Sequence, residues 1–520
     1  MLCLGQEKTI VLRKRTWLSF AILGCAIVAG GLYFGPPLGE DGSASETRLG
    51  PLHKDIRQPT VSPCGCHFAY STTVGRQRHV VLDGRPGPAY DAIGKSSIVF
   101  SPNGKRLAYQ ACRGGTWLVV VDGTESPAYD SVADDPPVFS ADGEHVAYVA
   151  RQGRGWFVVA DGVRQRMYDM IGRGSLRFAA NATEVAYVAQ TQSNWCVVTN
   201  GRPGPTYDAI ADGAMAFSPD GKGLAYAAKV DDSWVVVAHG KTSTPCRQIE
   251  ALRFSPDSRR LTYVARKRDG WCVVMDAKAE PAYDAIADGG VVFSADSTHW
   301  AYAARKAGRW HVVVDGRVGP AFDALVQDSL VLGKGGRVVY GVKANGRDYL
   351  VVNGKKGRDY DMVAGVTLGP GGKRIAHVAR TGKTWHVVVD GQASPGFDAI
   401  GRQTPIWSPD GKHVAYIAQK SGKWAAVVDH KAQRFFDAVG RLTFSKDPGR
   451  LAYWARDQAR EFTVLGSQVG PSYDEIKTAP VFSPDGSVEY LGVRDRILYR
   501  AKLGASNGSG RRRTGPGARE

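Results

Sequence analysis

Aspartate follows an aromatic residue at ten regularly spaced positions, so carboxylates are the first candidates for chemistry in this chain. They are Asp91, Asp130, Asp169, Asp208, Asp284, Asp323, Asp361, Asp398, Asp437 and Asp474. On one rim of a repeating structure, such side chains offer a ring of contacts to cations or to a partner. The alternative is a backbone cap at a strand end, and the pattern favours the cap because a repeated strand end also repeats its cap. The Ser-Pro-Asp aspartates fit Asx-type turns in the same way: Asp220, Asp257, Asp410 and Asp485.

Basic residues are concentrated in a second kind of turn, which precedes a tryptophan in most copies. They are Arg151, Arg154, Arg266, Lys267, Arg268, Arg305, Lys306, Arg309, Arg380, Lys383, Lys420 and Lys423. In register, these turns form a positive rim that attracts acidic glycans, phospholipid headgroups or nucleic acid. The other interpretation is a solvated turn that its charge keeps soluble. Exposed aromatics for base stacking are not evident, so nucleic acid is not an expected partner.

Cysteine and histidine form no metal-binding or nucleophilic pattern. Cys64-Gly65-Cys66 is the one close pair, and a disulfide loop or a metal site is considered there; it would need a second pair or histidines, whereas only His67 is adjacent. Cys196 and Cys272 follow tryptophans at positions where valine or leucine would serve. No P-loop or dinucleotide-binding glycine motif follows a strand. We therefore expect no catalytic residue, no cofactor and no metal ion.

A single unit is repeated along most of the chain. Its aromatic position recurs, at spacings of 37–39 residues, at Tyr90, Tyr129, Tyr168, Tyr207, Cys246, Tyr283, Phe322, Tyr360, Phe397, Phe436 and Tyr473. Eight of the 12 tryptophans share one position of the unit, namely Trp117, Trp156, Trp195, Trp234, Trp271, Trp310, Trp385 and Trp424. Twelve unit starts are found between Val61 and Phe482. Repeats of this length indicate a solenoid, a propeller or a similar array.

Each unit predicts four short strands, so the fold class is all-β. In the copy that begins at Phe293 they are the run into Phe293, then 300–303, 310–314 and 321–324, separated by Asp-, Gly- and Pro-rich turns. Strands that are apolar on both faces are buried on both faces. Four-stranded sheets stacked on two neighbours are the blades of a β-propeller. The chain is therefore predicted to be a β-propeller of about twelve four-stranded blades.

Twelve blades exceed the four to eight of most propellers, so two six-bladed rings, 61–292 and 293–503, are the favoured partition. A single large ring is the alternative. The last unit has no fourth strand of its own, and residues just before Val61 could supply it. Such a contact would join the two ends of the chain and remove an exposed strand edge, which supports the single ring.

The repeated motif resembles that of a known class of propellers. The segments FSPDGKGLAYAAKVDDSWVVVAHG from Phe217 and WSPDGKHVAYIAQKSGKWAAVVDH from Trp407 show the pattern SPDGKxxAY, then an aromatic residue and a valine-rich strand. This pattern is similar to the TolB-like repeats (PD40 type), which are related to WD40-like repeats. The resemblance covers about residues 60 to 503 and implies the fold. Its motif residues are turn and packing residues, so it implies a binding role only by analogy.

The N-terminal region predicts a membrane anchor. Residues 17–34 contain no charge, follow the basic leader 1–16 with Arg13, Lys14 and Arg15, and are long enough to cross a bilayer. The positive-inside rule places the following chain outside the cytoplasm, in the periplasm or the extracellular space. A cleaved signal peptide and a lipoprotein at Cys25 are the alternatives. Residues 35–59 are predicted to be a linker, and 504–520 a disordered basic tail.

These features together predict a function without catalysis. With 67 Lys and Arg against 50 Asp and Glu, the net charge is +17. We expect a non-enzymatic, single-pass membrane protein whose propeller is an interaction scaffold in the cell envelope, binding a protein or an anionic glycan. The alternative is an enzyme, a lyase or a hydrolase, with a site in the propeller channel. Units of nearly constant length leave no insertion that would build such a pocket.

Overall fold

The computed structural model describes residues 44–446 and 449–504, which form twelve antiparallel sheets of the same construction. We name the four strands of each sheet A to D in chain order. The B strands are Phe68–Val74, Leu107–Arg113, Val146–Gln152, Val185–Thr191, Leu224–Val230, Leu261–Lys267, Trp300–Lys306, Val338–Ala344, Ile375–Thr381, Val414–Lys420, Leu451–Asp457 and Val488–Arg494. The C strands are Gln77–Leu82, Thr116–Val121, Gly155–Ala160, Asn194–Thr199, Ser233–Ala238, Gly270–Met275, Arg309–Val314, Arg347–Val352, Thr384–Val389, Lys423–Val428, Arg460–Leu465 and Ile497–Leu503.

The outer two positions of each sheet are less regular. The A strands, seven of them interrupted, are Arg57–Val61, Ala92–Ile93 with Val99–Phe100, Ser131–Val132 with Val138–Phe139, Met170–Ile171 with Arg177–Phe178, Ala209–Phe217, Gln248–Phe254, Ala285–Ile286 with Val292–Phe293, Ala324–Leu325 with Val331–Leu332, Met362–Leu368, Ala399–Ile400 with Ile406–Trp407, Ala438–Phe444, and Glu475–Ile476 with Val481–Phe482. The D strands are Arg85–Pro86, Thr124–Glu125, Val163–Arg164, Arg202–Tyr207, Lys241–Thr242, Lys278–Ala279, Arg317–Val318, Lys355–Tyr360, Gln392–Ala393, Lys431–Phe436, Gln468–Val469 and Ala44–Pro51. One 3-10 turn, Lys334–Gly336, precedes strand B of blade 8.

The sequence analysis misplaced the fourth strand by a few residues. In blade 7, strand D is Arg317–Val318, whereas Ala324–Leu325 already pairs with strand B of blade 8. Phe322 forms a bridge to Trp310, so the repeated aromatic residue ends strand D. The predicted segment 321–324 therefore spans the connection between two blades, because the short D strand leaves its aromatic residue as a single bridge.

Neighbouring blades share their cores, which explains why the B and C strands are apolar on both faces. The repeated aromatic residue that ends strand D packs against the strand-B tyrosine of the next blade. Tyr283 and Tyr302 meet edge-to-face in this way, with ring centroids 6.1 Å apart, and Phe397 and Tyr416 do the same at 6.1 Å. Aromatic pairs of this geometry contribute about 0.5–1.5 kcal/mol beyond their buried area. The 37–39-residue period therefore repeats an interblade contact as well as a sheet.

The twelve blades close into a single ring. Ala44–Pro51 supplies strand D of blade 12 by pairing antiparallel with Ile497–Leu503. Phe68 and Tyr70 of blade 1 share a core with Leu491 of blade 12, while blades 6 and 7 share a core like any other neighbouring pair. The partition into two six-bladed rings is thus wrong, and the alternative of a single ring is correct. One strand from the far end of the chain satisfies the open edge of blade 12, so closure within each half is not needed.

The predicted linker 35–59 is in part a structural element, because Ala44–Pro51 and the start of strand A in blade 1 fall within it. Gly and Ser in this stretch gave a linker-like composition, but an outer strand tolerates polar residues on its exposed side. The predicted anchor 17–34 lies outside the described residues, and so does the predicted tail 504–520 apart from its first residue. Within residues 44–446 and 449–504, no helix has the length and apolar character to cross a membrane.

Candidate binding face of the ring

Antiparallel pairing places every B–C turn and every D–A connection at one end of its blade, and the A–B and C–D turns at the other. Since the same interblade contacts recur around the ring, the B–C turns lie together on one face. We call it the B–C face. All twelve predicted rim residues lie on this face, in the turns of blades 3, 6, 7, 9 and 10. The common position of these residues in the repeated unit accounts for their common face.

The repeated aspartates are caps on this face. Nine of them accept a hydrogen bond from a backbone N–H in the B–C turn of the following blade, at 2.5–3.5 Å: Asp91, Asp130, Asp169, Asp284, Asp323, Asp361, Asp398, Asp437 and Asp474. The favoured interpretation as backbone caps is therefore confirmed for these nine. Each carboxylate fixes the turn of its neighbour and so links two blades.

Some caps also hold a basic side chain of their own blade. Arg309 pairs with Asp323 at 3.1 Å, and Lys423 pairs with Asp437 at 2.5 Å. The hydrogen bond from Lys423, followed by the backbone N–H of Gln458, lowers the pKa of the Asp437 carboxyl. The same ammonium–carboxylate contact raises the pKa of Lys423. These two cations of the predicted rim are thus partly neutralised.

Four arginines of the rim lie over the tryptophan opposite them in the strand pair. The guanidinium carbons are 5.5–5.8 Å from the ring centroids in the pairs Arg151–Trp156, Arg266–Trp271, Arg305–Trp310 and Arg380–Trp385. At partly exposed sites a cation–π contact contributes about 0.5–1 kcal/mol. It also restricts a long side chain while its charge stays at the surface. The four pairs occupy the same cross-strand register of strands B and C, in blades 3, 6, 7 and 9.

The other predicted rim cations are unpaired. Arg154, Lys267, Arg268, Lys306, Lys383 and Lys420 form no ion pair with any described residue, and all but half-buried Lys267 are exposed. Two further cations of this face, Lys343 and Arg347 in blade 8, were missed by the sequence analysis. They lie in the same turn, but the tryptophan that marks the turn elsewhere is Asp348 in this blade. The register of the repeat would have found them.

The charge on the B–C face is uneven around the ring. The five turns of blades 6 to 10 (266–270, 305–309, 343–347, 380–384 and 419–423) hold twelve Lys and Arg residues, with Asp269 the one carboxylate among them. We call these five turns the basic arc. By contrast, the turn of blade 4 has no charge, and that of blade 5 has Asp231 and Asp232 beside Lys229. Arg151 and Arg154 of blade 3 therefore lie apart from the arc.

The opposite face has a repeated contact that the sequence analysis also missed. The residue just before strand B, which we call the link position, is Arg or His in nine blades: His67, Arg106, His145, Arg260, His299, Arg337, Arg374, His413 and Arg450. Arg374 is typical. Its Nε bonds Asp390 of its own blade at 2.8 Å, its guanidinium lies 5.0 Å from the Trp407 ring of blade 10, and it donates to the Lys412 carbonyl at 2.6 Å. Some blades have arginine there and others histidine, so neither residue alone showed the pattern.

The remaining candidates have structural roles. Asp220, Asp257, Asp410 and Asp485 each accept a hydrogen bond from the backbone N–H two residues on, which confirms Asx-type turns. Cys64 and Cys66 form a disulfide in the A–B turn of blade 1. Cys196 and Cys272 are buried in strand C, and burial raises the pKa of both thiols. An unreactive thiol fits the packing role predicted for these two positions.

No protein-family model matches this chain, and no curated protein matches it either. Among solved structures it is similar to a eukaryotic initiation factor, with 12% identity over 64% of this chain and 96% of that one, at a TM-score of 0.32. The β-propeller domain of Cps50 (Swd1) from Myceliophteria thermophila has 14% identity over 50% and 99%, at 0.25. The propeller of the trilobed protease from Pyrococcus furiosus has 11% identity over 51% and 94%, at 0.25.

Fold and site together define the class of protein. The chain is an all-β propeller of twelve blades in one ring. Its B–C face has a basic arc, and the carboxylate cap of the preceding blade holds each of the turns of blades 7 to 10. The TolB-like character of the repeat stays a prediction from the sequence.

Proposed function

We propose that this protein is a non-enzymatic scaffold whose basic arc binds an anionic partner, either an acidic protein surface or an anionic glycan. The observation that carries the proposal is the charge of the arc, twelve cations against Asp269 in five consecutive turns. Four of these twelve cations pair with an aspartate: Arg309, Lys343, Arg347 and Lys423. The other eight form no ion pair with a described residue, and adjacent like charges of this kind raise the local potential and attract anions. A solubility role alone does not account for their concentration in blades 6 to 10, since the turns of blades 4 and 5 stay exposed without an excess of cations.

The location of this activity is part of the same proposal. Residues 17–34 would anchor the chain in a membrane with the ring on the outer side, in the periplasm or outside the cell, as the basic leader implies. The resemblance of the repeat to the TolB-like type supports a binding role in the cell envelope. Acidic proteins, anionic glycans and lipid headgroups are all present at such a surface. The stacked arginines supply fixed positive charge, and the unpaired lysines supply mobile contacts.

Charge reversal within the arc should weaken binding to an anionic polymer. We expect the variant Arg268→Glu, Lys306→Glu, Lys383→Glu and Lys420→Glu to bind dextran sulfate at least about tenfold more weakly, because exposed charge contacts contribute about 0.2–1 kcal/mol each. These four side chains are exposed and have no ion pair in the described structure, so their replacement breaks no internal contact. Dissociation constants would be measured at several salt concentrations, and the wild-type affinity should fall steeply with salt.

The opposite face provides a matched control. Lys105, Arg317, Lys355 and Lys373 are exposed in its A–B and C–D turns, and changing all four to Glu gives the same net charge. This control should retain most of the wild-type affinity. Equal losses in both variants would show that only net charge matters, and an unchanged affinity in the first would reduce the arc to a solubility feature.

A further inference from the structure

The links between blades on the face opposite the arc are interrupted in two consecutive blades, 4 and 5, and blade 12 is the third blade without Arg or His at the link position, with Ser487 there. Blade 4 has Glu184 at the link position, and Asn200 where blades 2 and 3 have the paired aspartate. Glu184 cannot take the place of an arginine, because Asn200 offers no charge to it and its Oδ1 already accepts from the Val185 N–H. Blade 5 has Gly223 and His239 at the two corresponding positions. Blades 4 and 5 therefore both lack the Arg or His that nine of the twelve blades have at the link position.

A cavity of about 730 Å³ lies in the gap between blades 4 and 5. This volume is within the range of small-molecule sites, about 300–1,000 Å³. A second cavity, of about 260 Å³, lies in the next gap, between blades 5 and 6. His239 lines both, and its ring stands against Phe254 with centroids 6.4 Å apart. The position of both cavities follows from the missing link, since the filled gaps have an Arg or His there.

The larger cavity has an apolar interior and a charged mouth. Val197, Val237 and Tyr226 line it and are 3–6% exposed, and the half-buried Tyr207 ring stands 6.0 Å from the Tyr226 ring. Arg202 and Lys222 are exposed lining residues. Neither forms an ion pair with any residue that the structure describes.

The charges at the mouth determine the kind of ligand. Arg202 and Lys222 stand against one lining carboxylate, that of half-buried Glu184, so the mouth is net positive. A ligand whose anionic group binds these two cations can place an apolar body against the valine and tyrosine side chains inside the cavity. Ring-shaped bodies pack well against tyrosine edges. An uncharged apolar molecule would leave the two cations without a partner.

We propose that the cavity between blades 4 and 5 binds a small anion with a ring-bearing apolar body, whose carboxylate or phosphate head contacts Arg202 and Lys222. This site lies on the face opposite the basic arc and takes a different ligand. It stands or fails independently of the proposed scaffold function, because none of its residues belongs to the arc.

Calorimetric titration of the full chain in a non-ionic detergent tests this site. The probes are 1-naphthoate and 1-naphthyl phosphate, with uncharged 1-naphthalenemethanol and inorganic phosphate as comparisons, each corrected by a micelle blank. We expect one-to-one binding of at least one aryl anion, and the better of the two identifies the head as carboxylate or phosphate. The alcohol and inorganic phosphate should each bind at least tenfold more weakly, because the alcohol has no anionic group and inorganic phosphate has no apolar body.

Two variants distinguish this site from non-specific binding. The double variant Glu184→Arg with Asn200→Asp installs the pair present in blade 2, where Arg106 bonds Asp122 at 2.7 Å, and should fill the cavity and abolish binding. The double variant Arg202→Ser with Lys222→Ser removes only exposed cations, so it should keep the melting temperature and weaken binding at least tenfold. This second variant keeps the test valid if the first does not fold.

Three results would each overturn the proposal. The first is the absence of one-to-one binding by both aryl anions to the wild-type chain. The second is an unchanged affinity in the folded, filled-in variant or in the serine variant. The third is equal binding of the uncharged alcohol, which would show that the cations at the mouth recognise nothing.

Discussion

A chain that begins at residue 52 is expected to be less stable by at least about 3 kcal/mol than one that begins at residue 44, and to associate with itself. The removed strand Ala44–Pro51 pairs with Ile497–Leu503 along seven registered positions. Net backbone hydrogen bonds contribute about 0.5–1.5 kcal/mol each, and an unpaired edge strand recruits other chains. Urea unfolding and sedimentation of the two truncated chains would measure both effects.

Glu46 gives this prediction a finer control. Its carboxylate accepts a hydrogen bond from the Tyr473 hydroxyl of blade 11 and pairs with Arg494 of blade 12 at 3.1 Å, so it ties the closing strand to both blades. Glu46→Gln should keep the strand and lose about 1–2 kcal/mol, an intermediate effect. Equal stability of the chains that begin at residues 44 and 52 would show that the ring does not depend on the closing strand.

Acidification is expected to destabilise the ring through a single buried histidine. His377 lies at the strand-B position that is tyrosine in blades 7 and 10, is 6% exposed, and its two ring nitrogens have no hydrogen-bond partner. Tyr360 stands across it, with ring centroids 5.7 Å apart. Burial lowers the pKa of His377 from 6.5 to about 4, because a charged imidazolium has no solvation there.

The sign of the effect follows from the two pKa values. Above pH 6.5 the His377 imidazole is neutral in both the folded and the unfolded chain, so His377 does not reduce the free energy of unfolding there. Between 6.5 and about 4 the unfolded chain binds a proton that the folded chain does not, so falling pH favours unfolding. This difference in proton binding lowers the free energy of unfolding by about 2–3 kcal/mol between pH 7.5 and 4.5.

The variant His377→Tyr tests this assignment by installing the residue of the neighbouring blades. Urea unfolding at pH 7.5 and 4.5 should show a loss of stability on acidification that is smaller by about 2–3 kcal/mol than in the wild type. His311→Gln is the matched control, since His311 bonds the Gly319 carbonyl and a glutamine amide can retain that bond. If both variants keep the full acid sensitivity of the wild type, His377 is not its source.

The periodic part of this structure was accessible from sequence because each repeated residue has a repeated contact. The aspartates after the aromatic residue predicted caps, and nine of them bond the next blade. The basic turns before the repeated tryptophan predicted a common rim, and cross-strand partners such as Arg305 and Trp310 have the same register in blades 3, 6, 7 and 9. Ring closure was harder to predict, because it depends on a single strand whose polar composition is typical of a linker.

The features that sequence reasoning missed depend on contacts between different blades. The link position alternates between Arg and His, and its role appears only when Asp390 and Trp407 are seen around Arg374. The cavity beside Glu184 is defined by a contact that is missing, which no motif search detects. The blades of the structure can be superimposed, so the link contact is seen in each blade that has it. A blade that lacks the contact is then identified together with the gap beside it.

The central claim is that the basic arc is the surface that meets a partner, and site-specific photo-crosslinking in the protein's own cells tests it most directly. A photoreactive residue would replace Lys306 in the arc or Lys105 on the opposite face, both exposed. We predict a discrete adduct from position 306 that is lost when Arg268, Lys383 and Lys420 are changed to Glu, and no such adduct from position 105. Adducts of equal yield from both faces, or an adduct that survives the charge reversal, would contradict the account.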